Sequence, residues 1–209
     1  MPTEGPKTSS PLAQPGPQQP CNLLLQVQPK VAAGVLDGKP RANGVPPKPK
    51  IVTLGVYGFD EAGFFRALGD AGVDTFCDLR LRRGVRGREC AFVNSKRLQA
   101  RLAELGIRYL HRKELGPSQS LRARQMAADK AARTAKRQRT ELSESFVAGY
   151  REECLCAFDS GKFIERLGET PRVVALFCVE RAPAACHRSL VAERLHLDLG
   201  VEVVHLLPR

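Results

Sequence analysis

The sequence contains no tryptophan, and aromatic residues make up only 6% of its 209 positions. Aliphatic side chains must therefore carry any core, and a hydrophobic content of 43% is enough for one. There is no run of eighteen apolar residues, so a membrane-spanning helix is excluded. The first residues lack the basic start and apolar centre of a signal peptide. Seven cysteines occur, but their number is odd, their spacing is irregular and no CxxC is present, which argues against a zinc ribbon or finger. Free thiols in a chain of this size imply a reducing, cytoplasmic setting. A dinucleotide loop is missing too, because "GVYGFD" lacks the third glycine.

Positive charge is in excess. Lys and Arg number 33 against 22 Asp and Glu, a formal net charge of +11. That balance favours anionic partners such as nucleic acid, nucleotides or phosphorylated metabolites. The charge is unevenly placed: "RLRRGVRGR" puts five arginines between Arg80 and Arg88, and residues 112–139 carry nine Lys/Arg against two acids.

Residues 1–50 hold eleven of the fifteen prolines and many Gln, Gly and Ser. Such a segment buries too little apolar surface to offset its ordering entropy, so a disordered tail is expected. Its one apolar run, Leu23 to Val27, is a candidate interaction motif. Residues 51–209 read as a single α/β domain. The runs "IVTLGVY", "VDTFCDLR", "IRYLH", "RVVALFCVE" and "VEVVHLL" are short, apolar and β-rich. Helical patterns lie between them, with Asp60 and Ser95 as expected N-caps and Gly200 as the last stop. Leu142, Phe146, Tyr150, Cys154 and Phe158 recur four apart, a core-facing stripe. Strands alternating with helices predict a mostly parallel five-stranded sheet with helices on both faces, a Rossmann-like three-layer α/β fold with a basic helical insert.

Ligands of open α/β sheets bind beyond the carboxyl ends of the strands. Placing the strand ends there gathers Asp78 and Arg80, His111, Cys178 and Glu180 at one rim, joined by Cys186, His187 and Arg188 from the next helix start. Cys186 near a positive helix end, beside His187 and Arg188, suits a thiolate nucleophile; packing against the sheet is its other reading. His187 and Asp78 are candidate proton-transfer groups. Arg80, Arg83 and Arg188 are candidate anion-binding forks, with Cys178, Glu180 and His111 in support. A thiol-phosphatase loop is excluded, because the positions five and six after Cys178 are Pro183 and Ala184, and those after Cys186 are Val191 and Ala192. Ligation by the adjacent Cys186 and His187 strains a tetrahedral site, so no metal and no other cofactor is expected.

The runs "LGVYGF", "CDLRLRRGVRGRECAFVNSKRL", "LGIRYLHRKELGP" and "VALFCVERAPAACHRSLVAERL" resemble the domain-of-unknown-function family 488, over about residues 51–207. The resemblance implies a compact α/β domain and no assigned function. Its motif residues fall on Asp78, Arg80, Cys178, Glu180, Cys186, His187 and Arg188. Two departures stand out. Gly55-Val56-Tyr57 replaces a Gly-His-Ser, and Ala182 replaces an acidic residue before Pro183.

Three readings follow. In the first, the rim binds a phosphate-bearing or nucleotide-like small molecule and acts on it with a thiol. In the second, the basic loop and insert bind nucleic acid without catalysis. In the third, the rim is a ligand sensor. The sequence selects neither an enzyme nor an oligomeric state.

Overall fold

The computed structural model describes residues 48–168 and 170–209. The expected tail and its Leu23–Val27 motif therefore lie outside the described residues, apart from the tail's last three positions. The first strand starts one residue earlier than the expected run from Ile51, since Lys50 opens it.

Five strands form one parallel sheet: β1 (Lys50–Gly55), β2 (Thr75–Asp78), β3 (Arg108–His111), β4 (Val173–Cys178) and β5 (Val203–Leu206). Their order across the sheet is β3-β2-β4-β1-β5. The two longest strands, KIVTLG and VVALFC, are buried at every position but the first. Continuous apolar runs of this kind belong to strands covered on both faces.

The period of two along each strand divides the core. Val52, Leu54, Phe76, Ala175 and Phe177 face α1 (Glu61–Asp70) and α2 (Ser95–Glu104), which bring Phe64, Leu68, Leu98 and Leu102. Ile51, Cys77, Val174 and Leu176 face the other way. They meet α3 (Gln119–Ala131), α4 (Glu144–Tyr150), α5 (Ser160–Glu165) and α6 (His187–Leu199). These helices contribute Leu121, Tyr150, Phe163 and Val191. Each such side chain stabilises the fold by about 1.5–3 kcal/mol on burial. The scarce aromatics are concentrated rather than spread: Phe64 makes edge contacts with Phe65, Phe92 and Phe177 at 5.3, 5.4 and 5.6 Å.

Local expectations meet mixed outcomes. Asp60 caps α1, its Oδ1 accepting from the Gly63 N–H at 2.7 Å. The N-cap of α2 is Asn94, not Ser95. The Asn94 side chain leaves the helix uncapped and accepts from the Val85 N–H at 2.7 Å, which ties down the arginine-rich loop. The stripe from Leu142 to Phe158 packs into one cluster as expected, but α4 widens into a π turn at Arg151–Leu155 and stops before Phe158. The short α5 has no counterpart among the expected elements. Gly55, at the end of β1, has a steric reason to be glycine: a Cβ there would overlap the Glu180 carbonyl at the exit of β4.

Candidate functional site

The site lies at the carboxyl ends of β4 and β2, where the chain turns into two loops. After β4 the backbone makes a 3-10 turn, Pro183–Ala185, before α6 begins. Cys186 is therefore the N-cap of α6, with extended backbone (φ −144°, ψ 139°), and not a residue of its first turn. This conformation brings three side chains together. The Cys178 and Cys186 sulfurs each lie 3.8 Å from His187 Nδ1. All three ligand atoms fall within 4.8 Å of one another, and all three residues are buried.

The imidazole is oriented from its far side. His187 Nε2 is 3.3 Å from the Leu79 carbonyl. A carbonyl only accepts, so Nε2 donates to it and Nδ1 faces both sulfurs. The Tyr150 ring packs against His187 at 5.4 Å, and its hydroxyl donates to the Leu115 carbonyl at 2.6 Å. The two thiols are shifted in opposite directions. Burial opposes ionisation of Cys186, but hydrogen bonding from Cys178, the Arg188 charge and His187 outweigh it and hold this thiol well below its ordinary value. Cys178 donates to Cys186, and that bond together with burial pushes its own thiol well up.

A cavity of about 490 Å³ opens beside this trio, with Cys178 and His187 in its lining. Six cationic side chains line it: Arg80, Arg82, Arg86, Arg122, Lys136 and Arg137. No acid does. Three of the six have acidic partners: Arg80 with Asp78, Lys136 with Glu180 and Arg137 with Glu89. Arg82, Arg86 and Arg122 have no ion-pair partner among the described residues.

The family model for Domain of unknown function DUF488 matches residues 62–195. The chain belongs to this family. Neither the curated proteins nor the solved structures contain a match to it. The DUF488 match runs from α1 into α6 and includes the thiols, His187 and the Asp78–Arg80 pair.

In this DUF488 chain the expected site residues take different places. Asp78 is fully buried and its oxygens are filled. Arg80 Nε and Nη2 donate to them at 2.8 and 2.7 Å, the Arg80 N–H at 3.1 Å and the Tyr109 hydroxyl at 2.9 Å. Arg80 also stacks over Phe177 at 4.6 Å and donates to the Val93 carbonyl, while its Nη1 has no hydrogen-bond partner among the described residues. Arg83 interacts with Tyr109 and is not among the cavity-lining residues. Arg188, at 0% exposure, donates through Nη1 and Nη2 to the Glu180 and Arg181 carbonyls at 2.7 and 3.1 Å. His111 Nε2 donates to the Arg80 carbonyl at 2.8 Å, holding the start of the arginine loop. Glu180 is buried against Arg139 at 3.1 Å, and burial pushes its carboxyl up to about 7 against the pull of Arg139 and Lys136.

Sequence reasoning on the DUF488 chain missed the joint between insert and rim. Arg122, Lys136 and Arg137 come from the basic insert, which the sequence treats as a separate surface. Arg139 pairs with both Asp129 and Glu180, and Arg137 lies 4.9 Å over the Tyr57 ring. The signal available was the density of arginine around residue 136. Its tertiary partners, Glu89 and Glu180, lie more than forty residues away on either side.

Proposed function

We propose that the cavity beside β4 binds a small anionic molecule, phosphate-bearing or nucleotide-like, and that the chemistry done on it depends on Cys178, Cys186 and His187. The observation that carries this reading is a lining that, among the described residues, has six cations and no acid, three of the cations lacking any ion-pair partner. Arginine forks recognise phosphate and carboxylate oxygens in pairs. Cys178 and His187 line the same cavity and Cys186 adjoins them, which gives the cavity its reactive end.

Calorimetric titration of the full chain with inorganic phosphate, pyrophosphate and nucleoside mono- and triphosphates tests the binding. At least one should bind at low ionic strength. The combined change of Arg82, Arg86 and Arg122 to Ala should weaken it more than about tenfold, since charge-assisted hydrogen bonds contribute about 1.5–3 kcal/mol each. Equal binding by parent and variant would remove the basis of the proposal. Cys178→Ser and Cys186→Ser should keep the ligand and lose its turnover.

A nucleic-acid partner is the second reading. The exposed Arg124, Lys130 and Arg133 of the insert favour it. It requires an affinity for DNA or RNA that falls steeply with salt. Binding of mononucleotides with equal or greater affinity than oligonucleotides decides for the small molecule.

A further inference from the structure

The two buried thiols and His187 carry an inference about what the reactive end of the cavity holds. We infer that Cys178, Cys186 and His187 form a three-ligand site for a soft divalent metal ion of the zinc class, with its fourth position open to the cavity. This deepens the reading above by giving the thiols a role as ligands. It rests on that reading only for what enters the fourth position.

Four observations support it. First, the spacing fits. Zinc–thiolate and zinc–imidazole bonds of about 2.3 and 2.1 Å at tetrahedral angles place sulfur and nitrogen about 3.6 Å apart. Both sulfurs here are 3.8 Å from Nδ1. The distance is long for a hydrogen bond to sulfur and close to the edge of such a tetrahedron. Second, the donor set is two thiolates and a neutral imidazole, which selects zinc over calcium or magnesium and cancels the charge of a dication. Third, the far nitrogen of His187 is held by the Leu79 carbonyl, the outer contact that fixes a ligating histidine. Fourth, Cys178 and His187 both line the cavity, so the side without a protein ligand is the side a small molecule reaches. Three protein ligands with an open position is the arrangement of catalytic rather than structural zinc.

The objection that adjacent residues cannot both ligate fails here for a local reason. Cys186 is extended at the N-cap while His187 already begins α6, so the two side chains leave the backbone in directions that meet. A continuous helix would splay them.

Cobalt(II) replaces zinc in such sites and reports its ligands by colour. The metal-free full chain, reduced and titrated with cobalt(II), should give thiolate-to-metal charge-transfer bands and tetrahedral d–d bands that saturate at one equivalent. Zinc should displace them. Cys178→Ser and Cys186→Ser should each remove one thiolate contribution and weaken zinc more than about 100-fold, while Cys156→Ser leaves the spectrum unchanged. Should a variant fail to fold, the parent spectrum and its stoichiometry still decide. Azide should shift the d–d bands by entering the open position. No saturating binding, a spectrum without thiolate bands, or affinity unchanged in the cysteine variants would each overturn the inference, and an azide-insensitive spectrum would overturn the open position. Titration of the metal-free chain with pyrophosphate is read separately, so loss of metal binding with pyrophosphate binding retained strikes this inference alone.

Discussion

At the scale of single residues, the Asp78–Arg80 pair is the most tightly bound group at the rim. Side chains two apart at a strand end meet because the backbone turns after Asp78, and the arginine fork then spans both carboxylate oxygens. Both side chains are almost fully buried, at 3% and 0% exposure. Removing one partner leaves the other charge buried without compensation, which costs about 3–5 kcal/mol. Asp78→Ala should lower the unfolding free energy by that amount in a urea melt. Arg80→Lys should also lose stability, because an ammonium cannot replace a fork. A second residue-scale prediction concerns alkaline pH. Burial raises the Cys77 thiol to about 12, and Tyr109 is pushed up to about 12 by burial and by Asp78. Raised values mean that folding favours the protonated forms. Their stabilisation is intact below the unfolded-state values near 9 and 10 and is lost as pH rises toward 12. Thermal melts between pH 8 and 11 should show the midpoint falling above pH 9, and Cys77→Ala should flatten that fall.

At the scale of elements, the insert acts as a strap. The 3-10 turn Lys136–Gln138 and the following Arg139 reach Glu180, Asp129 and Glu89, and so fasten α3 to the exit of β4 and to the arginine loop. Arg139→Ala should free it. Limited proteolysis of that variant should cut between residues 131 and 143 faster than in the parent, and its pyrophosphate affinity should fall. The strands and most helices were legible in the sequence, because buried parallel strands are continuous apolar runs and the Leu142–Phe158 stripe keeps a helical period. The caps were less so. Ser95 and Asn94 are both good N-cap types, and Asn94 takes the position while its side chain serves a tertiary partner, the Val85 N–H, instead of the helix. The position of Cys186 outside its helix depends on the 3-10 turn that Pro183 opens.

At the scale of the whole molecule, the excess charge converges on one cavity as well as covering the surface. An anion held by exposed arginines should bind less tightly as salt rises, since screening lengths shrink to about 8 Å at 0.15 M. Raising the salt from 50 to 500 mM should weaken pyrophosphate measurably in calorimetry, while replacing Glu144, on the surface of α4, should leave it unchanged. The rim itself was legible because strand ends in a parallel sheet share one edge. The part played by residues 112–139 was not, since no local pattern tells a solvated basic helix from a cavity wall. The sheet order has one more consequence. β4 is the central strand and the only neighbour that β1 and β2 share, yet it is synthesised fourth, with Lys50 pairing Val173. Until residues 173–178 are made, β1 and the β2–β3 pair have no strand between them, and only the packing of α1, through Phe64, links the two.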